Sequence, residues 1–213
     1  MFDLSSKTKV NRQFRLAELY KLMAADKDVK ADAKGILSVV LTNVLSQDTM
    51  NVPVGDIVKE IYIFYIELSS KSIPALFISS LDKAINLHTL FVLRFNDERM
   101  LYGCYKEKTE KGVKLGKYYS TDWTKAQTPI SLPLNVFSMD DIYTAIIDRL
   151  IPIAAKQNET TSDFVARYDT IRKLKYEIDK KQRQVDNERQ SKKRFEINDE
   201  LKKLKEQLAI LEN

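Results

Sequence analysis

The chain has one cysteine, Cys104, and one histidine, His88, in 213 residues. A single cysteine excludes an internal disulfide, and one residue of each type leaves too few soft ligands for a structural zinc site. No run of 18 apolar residues occurs, so no membrane-spanning helix is expected. The opening Met1-Phe2-Asp3-Leu4-Ser5-Ser6-Lys7 lacks a basic stretch followed by an apolar one. No secretory signal is expected there, and the default expectation is a cytoplasmic protein. Glycine and proline number five each. Only Gly112 and Gly116 lie close together, bracketing a lysine-rich stretch, so no glycine loop is available to cradle a phosphate.

What is present is a hydrophobic fraction of 44% with 31% charged residues, enough for a folded core. The net charge of +5 is unevenly placed. From Phe164 to Asn213 there are 14 Lys or Arg against 10 Asp or Glu, whereas the preceding residues hold 21 against 20. Every proline precedes residue 153, and the remainder is rich in Lys, Glu, Gln, Arg and Leu, the composition of helix. The polar run Lys156–Asp163 marks the boundary. The organisation expected is a globular domain over 1–156 and a basic amphipathic helical tail over 157–213.

In the body, Asn11–Met23 reads as an amphipathic helix with Phe14, Leu19 and Leu22 on one face. Residues 35–46 fit helix or strand, and their β-branched content favours strand. Ile57–Leu68 and Leu87–Phe95 are continuous apolar runs that predict buried strands. Pro74 opens a helix to about Ile85, and Met100–Glu107 predicts a third strand after the turn Asn96-Asp97-Glu98-Arg99. Lys106–Lys117 reads as a charged connection. Asp140–Ile151 predicts a helix capped by Ser138 or Asp140, with Ile142, Tyr143, Ile146, Ile147 and Leu150 buried. Strands joined by a helix and then by a hairpin give an α+β or α/β class: a mixed β-sheet flanked by helices.

The tail carries two apolar repeats. The first runs Phe164, Tyr168, Ile171, Leu174, Ile178 and Val185, and the second runs Ile197, Leu201, Leu204, Leu208 and Leu211. The second is a heptad seam. The two are out of register, with a phase break within Gln190–Arg194. Either the chain turns back as a helical hairpin, or one continuous helix of about 75 Å forms a coiled coil with another chain. The seam residues are candidate partner-binding anchors. Arg189, Lys192, Lys193 and Arg194, at the break, are candidates for contact with nucleic acid or an acidic surface.

Catalytic sets are poorly represented. A nucleophilic triad would depend on His88, at the edge of a buried strand, where a structural role is expected. Cys104 reads as packing. A divalent-metal nuclease could use Asp56 and Glu67, which bracket a strand, with Lys71 following. The residue two after Glu67 is Ser69, not the lysine such enzymes prefer. Only this alternative would call for a cofactor, magnesium; otherwise none is expected. Lys106, Lys108, Lys111, Lys114 and Lys117, with Tyr105, Tyr118 and Tyr119, could serve a nucleic-acid surface, although Glu107 and Glu110 interleave the lysines. Trp123 is expected to pack over the core edge.

Five blocks carry a resemblance: Val44-Leu45-Ser46-Gln47-Asp48-Thr49-Met50-Asn51-Val52-Pro53, Glu60-Ile61-Tyr62-Ile63-Phe64, Leu81-Asp82-Lys83-Ala84-Ile85 followed by Leu90-Phe91, Tyr118-Tyr119-Ser120-Thr121-Asp122-Trp123, and Lys193-Arg194-Phe195-Glu196-Ile197-Asn198-Asp199-Glu200-Leu201. In this order they resemble the bacterial and archaeal family domain of unknown function 4391. The resemblance implies a strand over 36–45 and an association with helicases or DNA methyltransferases in restriction or phage-defence clusters; it implies no catalytic residue. The family often has a basic residue where this chain has Val44. The function expected is therefore that of a non-enzymatic accessory protein. Its tail would hold a protein partner, such as a helicase or DNA methyltransferase, or a second copy as a homodimer. The alternatives are a metal-dependent nuclease and a DNA-binding module.

Overall fold

A computed structural model describes residues 4–110, 112–130 and 136–212. The chain forms two compact units that part between Pro152 and Ile153. The first is built on a mixed sheet. Its strands β1 (Lys9–Phe14), β2 (Ile36–Ser46), β3 (Glu60–Leu68), β4 (His88–Phe95), β5 (Glu98–Thr109) and β6 (Gly112–Ser120) lie side by side in sequence order. A short β7 (Thr124–Lys125) pairs with the start of β5. Helices α1 (Leu16–Leu22) and α2 (Lys27–Asp32) fall between β1 and β2, and the single turn α3 (Gln47–Met50) follows β2. Neighbouring strands are antiparallel except β3 and β4. A parallel pair needs a crossover, which α4 (Ala75–Ile85) supplies.

Local chemistry explains most boundaries. Pro74 stands immediately before α4, and Asn86 ends it in the left-handed region at φ 55°, a conformation asparagine tolerates at a helix end. Asn96, at φ 51°, makes the tight link between β4 and β5. Ser138 caps α5 (Met139–Leu150) through a reciprocal bond with Asp141.

Three expectations are corrected. Asn11–Met23 is not one helix: residues 9–14 form edge strand β1, and the helix begins at Leu16. Asn11 sits at φ 52°, beside an irregularity in the β1–β2 ladder, which no helix accommodates. The free edge of β2 outweighs the local periodicity, yet Phe14 still reaches the core, its ring 6.3 Å from that of Phe64. The central strand begins at Glu60 rather than Ile57, because the amides of Asp56, Ile57 and Val58 are held by the Asp140 carboxylate instead of a ladder. Lys106–Lys117 is not a connection but mostly the paired ends of β5 and β6; Lys111 lies outside the described residues.

The sheet has two unlike faces. Val39, Phe64, Ile66, Phe91 and Leu93 pack with Leu19, Val29, Phe77, Ile78 and Leu81 of α1, α2 and α4 into one buried cluster. Alternation places Ile61, Ile63, Leu90, Val92 and Leu101 on the opposite face, all buried. Helix α5 lies there: its Leu150 sits so close to Gly103 that an added Cβ would be 3.2 Å away. Its stripe Ile142, Tyr143, Ile146, Ile147 and Leu150 is fully buried.

The second unit is a hairpin of α6 (Thr161–Asn187) and α7 (Ser191–Glu212), joined by Glu188–Gln190. Ion pairs Lys175–Glu212 and Lys181–Glu200 tie the antiparallel helices. Arg167 adds a clamp. It bonds both oxygens of Glu159 and donates to the carbonyls of Ala154 and Leu211. That guanidinium holds the Glu159 carboxyl down at about 2. No helix among the described residues is long and apolar enough to cross a membrane.

Candidate functional site: an open cleft on the sheet and a basic helical tip

The carboxylates bracketing β3 do not converge. Asp56 precedes the strand and Glu67 is near its end, and the seven steps from Glu60 to Glu67 alone span roughly 23 Å when extended. Asp56 is exposed, and its backbone is engaged at both ends, with its amide on Asp140 and its carbonyl on Lys108. Lys71 pairs with Glu98 and lies over the Trp123 ring at 5.6 Å, away from Glu67. Trp123 packs at the edge of the core, as expected from its position. Among the described residues, no group of three His, Cys, Asp or Glu side chains could hold a metal ion.

Glu67 instead borders a cleft of about 310 Å³. Along β3 the residues facing away from the main core run Ile61, Ile63, Tyr65, Glu67, and along β4 they run Leu90, Val92, Arg94. Where they turn from apolar to polar, the cleft begins. Ser38 and Thr42 of β2 and Lys9 and Asn11 of β1 complete its walls. Register places Glu67 beside Arg94, but Oε2 of Glu67 is 3.8 Å from Nε of Arg94, beyond hydrogen-bond reach. Nε of Arg94 is enclosed with no hydrogen-bond partner among the described residues, while the side chain as a whole is 40% exposed. Burial raises the Tyr65 phenol above its usual range, opposed by Arg99 and Arg94, so it remains a donor at neutral pH. Sequence reasoning singled out Glu67 here and missed Arg94, Tyr65 and Lys9. The legible signal was the single charged residue ending each apolar run.

Two residues of the lysine hairpin, Lys106 and Tyr119, are buried and so take no part in a surface. Lys106 is fully buried and paired with Asp82 of α4. Its ammonium also donates to Thr89 at 2.8 Å and to the Leu87 carbonyl. The second Asp82 oxygen accepts from the Tyr118 hydroxyl at 2.7 Å, with the Cys104 thiol at 3.5 Å. Burial and the Asp82 charge push that thiol up to about 12, so it carries no thiolate at neutral pH. Tyr119 is buried, and Tyr118 stacks on Tyr102 at 5.1 Å. Among the described lysines of the hairpin, Lys108, Lys114 and Lys117 are on the surface.

His88 is buried edge-on to Tyr143, with ring centroids 4.5 Å apart. Its Nε2 has no partner among the described residues. Burial first, then the Lys106 charge, lowers its pKa from 6.5 to about 4, against the opposing pull of Asp140 and Asp82. The folded chain therefore keeps the imidazole neutral, whereas the unfolded chain takes up a proton below about 6.5. The resulting stability is complete above about pH 6.5 and is lost as pH falls towards 4, a change of about 3 kcal/mol. Melting temperatures measured across this window should fall more steeply for the native chain than for His88→Phe; parallel curves would refute the assignment.

In the hairpin the second seam faces α6. Leu201 is buried, and Ile197, Leu204, Leu208 and Leu211 are half-buried. The seam is thus largely used within the chain rather than left bare. Arg189, Lys192, Lys193 and Arg194 gather at the tip, all exposed, beside Phe195 at 77% exposure. No acidic residue occupies the first turn of α7. Lys192, Lys193 and Arg194, in that first turn, oppose the dipole of α7 at about 0.3–1 kcal/mol each, so their placement does not serve the stability of that helix, whereas Arg189 follows the C-terminus of α6, where a cation is favoured.

No curated protein and no solved structure matches this chain. The family described as domain of unknown function (DUF4391) matches residues 2–208, and the chain belongs to that family.

Proposed function

We propose that this protein is a non-enzymatic accessory factor whose helical hairpin docks an acidic surface on a larger protein, of the helicase or DNA methyltransferase kind. The observation that carries this reading is the tip: Lys192, Lys193 and Arg194 stand exposed in the first turn of α7, where that helix's dipole disfavours cations, with exposed Arg189 and Phe195 beside them. Phe195 with Arg189 and Arg194 supplies residue types enriched at interface centres, and Lys192 and Lys193 suit a polar rim. Glu188 and Glu196 flank the cluster and dilute the potential that a duplex would meet, which favours a protein partner over DNA.

The test is pairwise binding of the purified chain to a helicase and to a DNA methyltransferase from the same cell. Reversing Lys193→Glu and Arg194→Glu together should weaken capture at least tenfold, about 1.4 kcal/mol, mostly through the association rate. Unchanged affinity would overturn the reading. So would binding of duplex DNA by the native chain with a steep salt dependence, since that assigns the tip to phosphate.

A further inference from the structure

We propose that the cleft over β1, β2, β3 and β4 binds a phosphate monoester, with the phosphate on Arg94 and Lys9 and a hydroxyl of the ligand on Glu67. The inference rests on side chains of the sheet and is independent of the docking role of the hairpin.

Donors dominate the cleft. The Arg94 side chain is 40% exposed and stands beyond hydrogen-bond reach of Glu67, Lys9 brings a second cation, and Tyr65, Ser38 and Asn11 add neutral donors. Two neighbours are already engaged: Thr42 donates to the Ile63 carbonyl, and Asn43 donates to Thr8. A phosphate offers three strongly accepting oxygens and about −1.5 to −2 of charge near neutrality, which suits a donor-rich wall with two cations better than a carboxylate does. Glu67 is the one anionic side chain among the lining residues. Lying 3.8 Å from Arg94, it keeps acceptor capacity for a sugar hydroxyl.

The wall is held firmly. Three strands supply it from within the sheet, and on the edge strand the irregularity between Lys9 and Arg12 fixes Asn11 at φ 52°. Departures of this kind persist where the surrounding structure enforces them and often re-aim side chains at a site. The volume of about 310 Å³ lies at the small end of ligand pockets. It suits a sugar phosphate or mononucleotide and excludes an extended dinucleotide. Recognition would come from side-chain cations, without the glycine loop that the sequence lacks.

Thermal shift and calorimetry with ribose 5-phosphate and adenosine monophosphate test this, with ribose and adenosine as phosphate-free controls. Saturating phosphate ester should raise the melting temperature by about 2–4 °C, and the controls should not. Arg94→Gln should abolish the shift. Lys9→Gln, on the exposed edge strand, should weaken binding at least tenfold and serves if the first variant does not fold. No shift, an equal shift with the controls, or an undiminished shift in the variants overturns the proposal. A 5′-phosphorylated oligonucleotide binding more tightly than the free ester, in a phosphate-dependent way, would identify a strand end as the source; weaker binding would identify a free metabolite.

Discussion

Replacing Lys106 with methionine should destabilise the first unit by about 3–5 kcal/mol, the usual consequence of leaving a buried charge without its partner. Asp82 and Lys106 are both fully buried. All the polar capacity around them is used: Thr89 and Tyr118 bond the carboxylate, and the Leu87 carbonyl takes the ammonium. The pair itself need not add net stability, because removing two ions from water offsets their attraction. The double variant Asp82→Leu with Lys106→Met should therefore recover most of the loss. Urea unfolding of the native chain and the two variants measures it. A single variant that unfolds at the native urea midpoint would show that water reaches the pair and screens it. With total stabilities of about 5–15 kcal/mol for domains of this kind, the single variant should be close to unfolding at physiological temperature.

Asp140→Ala should cost about 2–4 kcal/mol, since one carboxylate satisfies three backbone amides in a bend that has no other partner for them. The bonds to Asp56, Ile57 and Val58 run from 2.7 to 3.3 Å. The fit is tight: a Cβ on Gly55 would come 2.0 Å from the Asp140 carboxylate, so Gly55→Ala should show part of the same loss. Hydrogen exchange at Asp56, Ile57 and Val58 distinguishes the clamp from a general effect. Those amides should lose protection in Asp140→Ala before the amides of β3 do. Protection lost uniformly across the sheet would contradict the local role.

Much of the architecture was written in composition and spacing. The apolar runs at 57–68 and 87–95, the proline opening α4, the cap at Ser138 and the heptad seam all follow from local rules, and each element exists. The out-of-register seams left a hairpin and one continuous helix both open, and the fold takes the hairpin. Where reading failed, a distant partner had outcompeted a local preference. Residues 9–14 alternate too weakly to declare a strand, and only the open edge of β2 makes them one. Lys106 is chemically the same as its exposed neighbours Lys108 and Lys114, and nothing in its flanks announces Asp82, 24 positions earlier. Asp56 looked like half of a carboxylate pair because its spacing from Glu67 is plausible on paper; the intervening strand holds the two apart.

Chain order and residue chemistry were therefore enough to establish a mixed sheet, the helix between its strands and a basic helical tail, since periodicity and capping act within a few residues; that the tail folds back was decided by packing between its two helices. They could not specify the cleft. Arg94, Tyr65, Lys9 and Ser38 come from four different strands, and what makes them neighbours is strand order and register, together with the point at which α5 stops covering the sheet. Those are properties of long-range pairing, which no local pattern encodes.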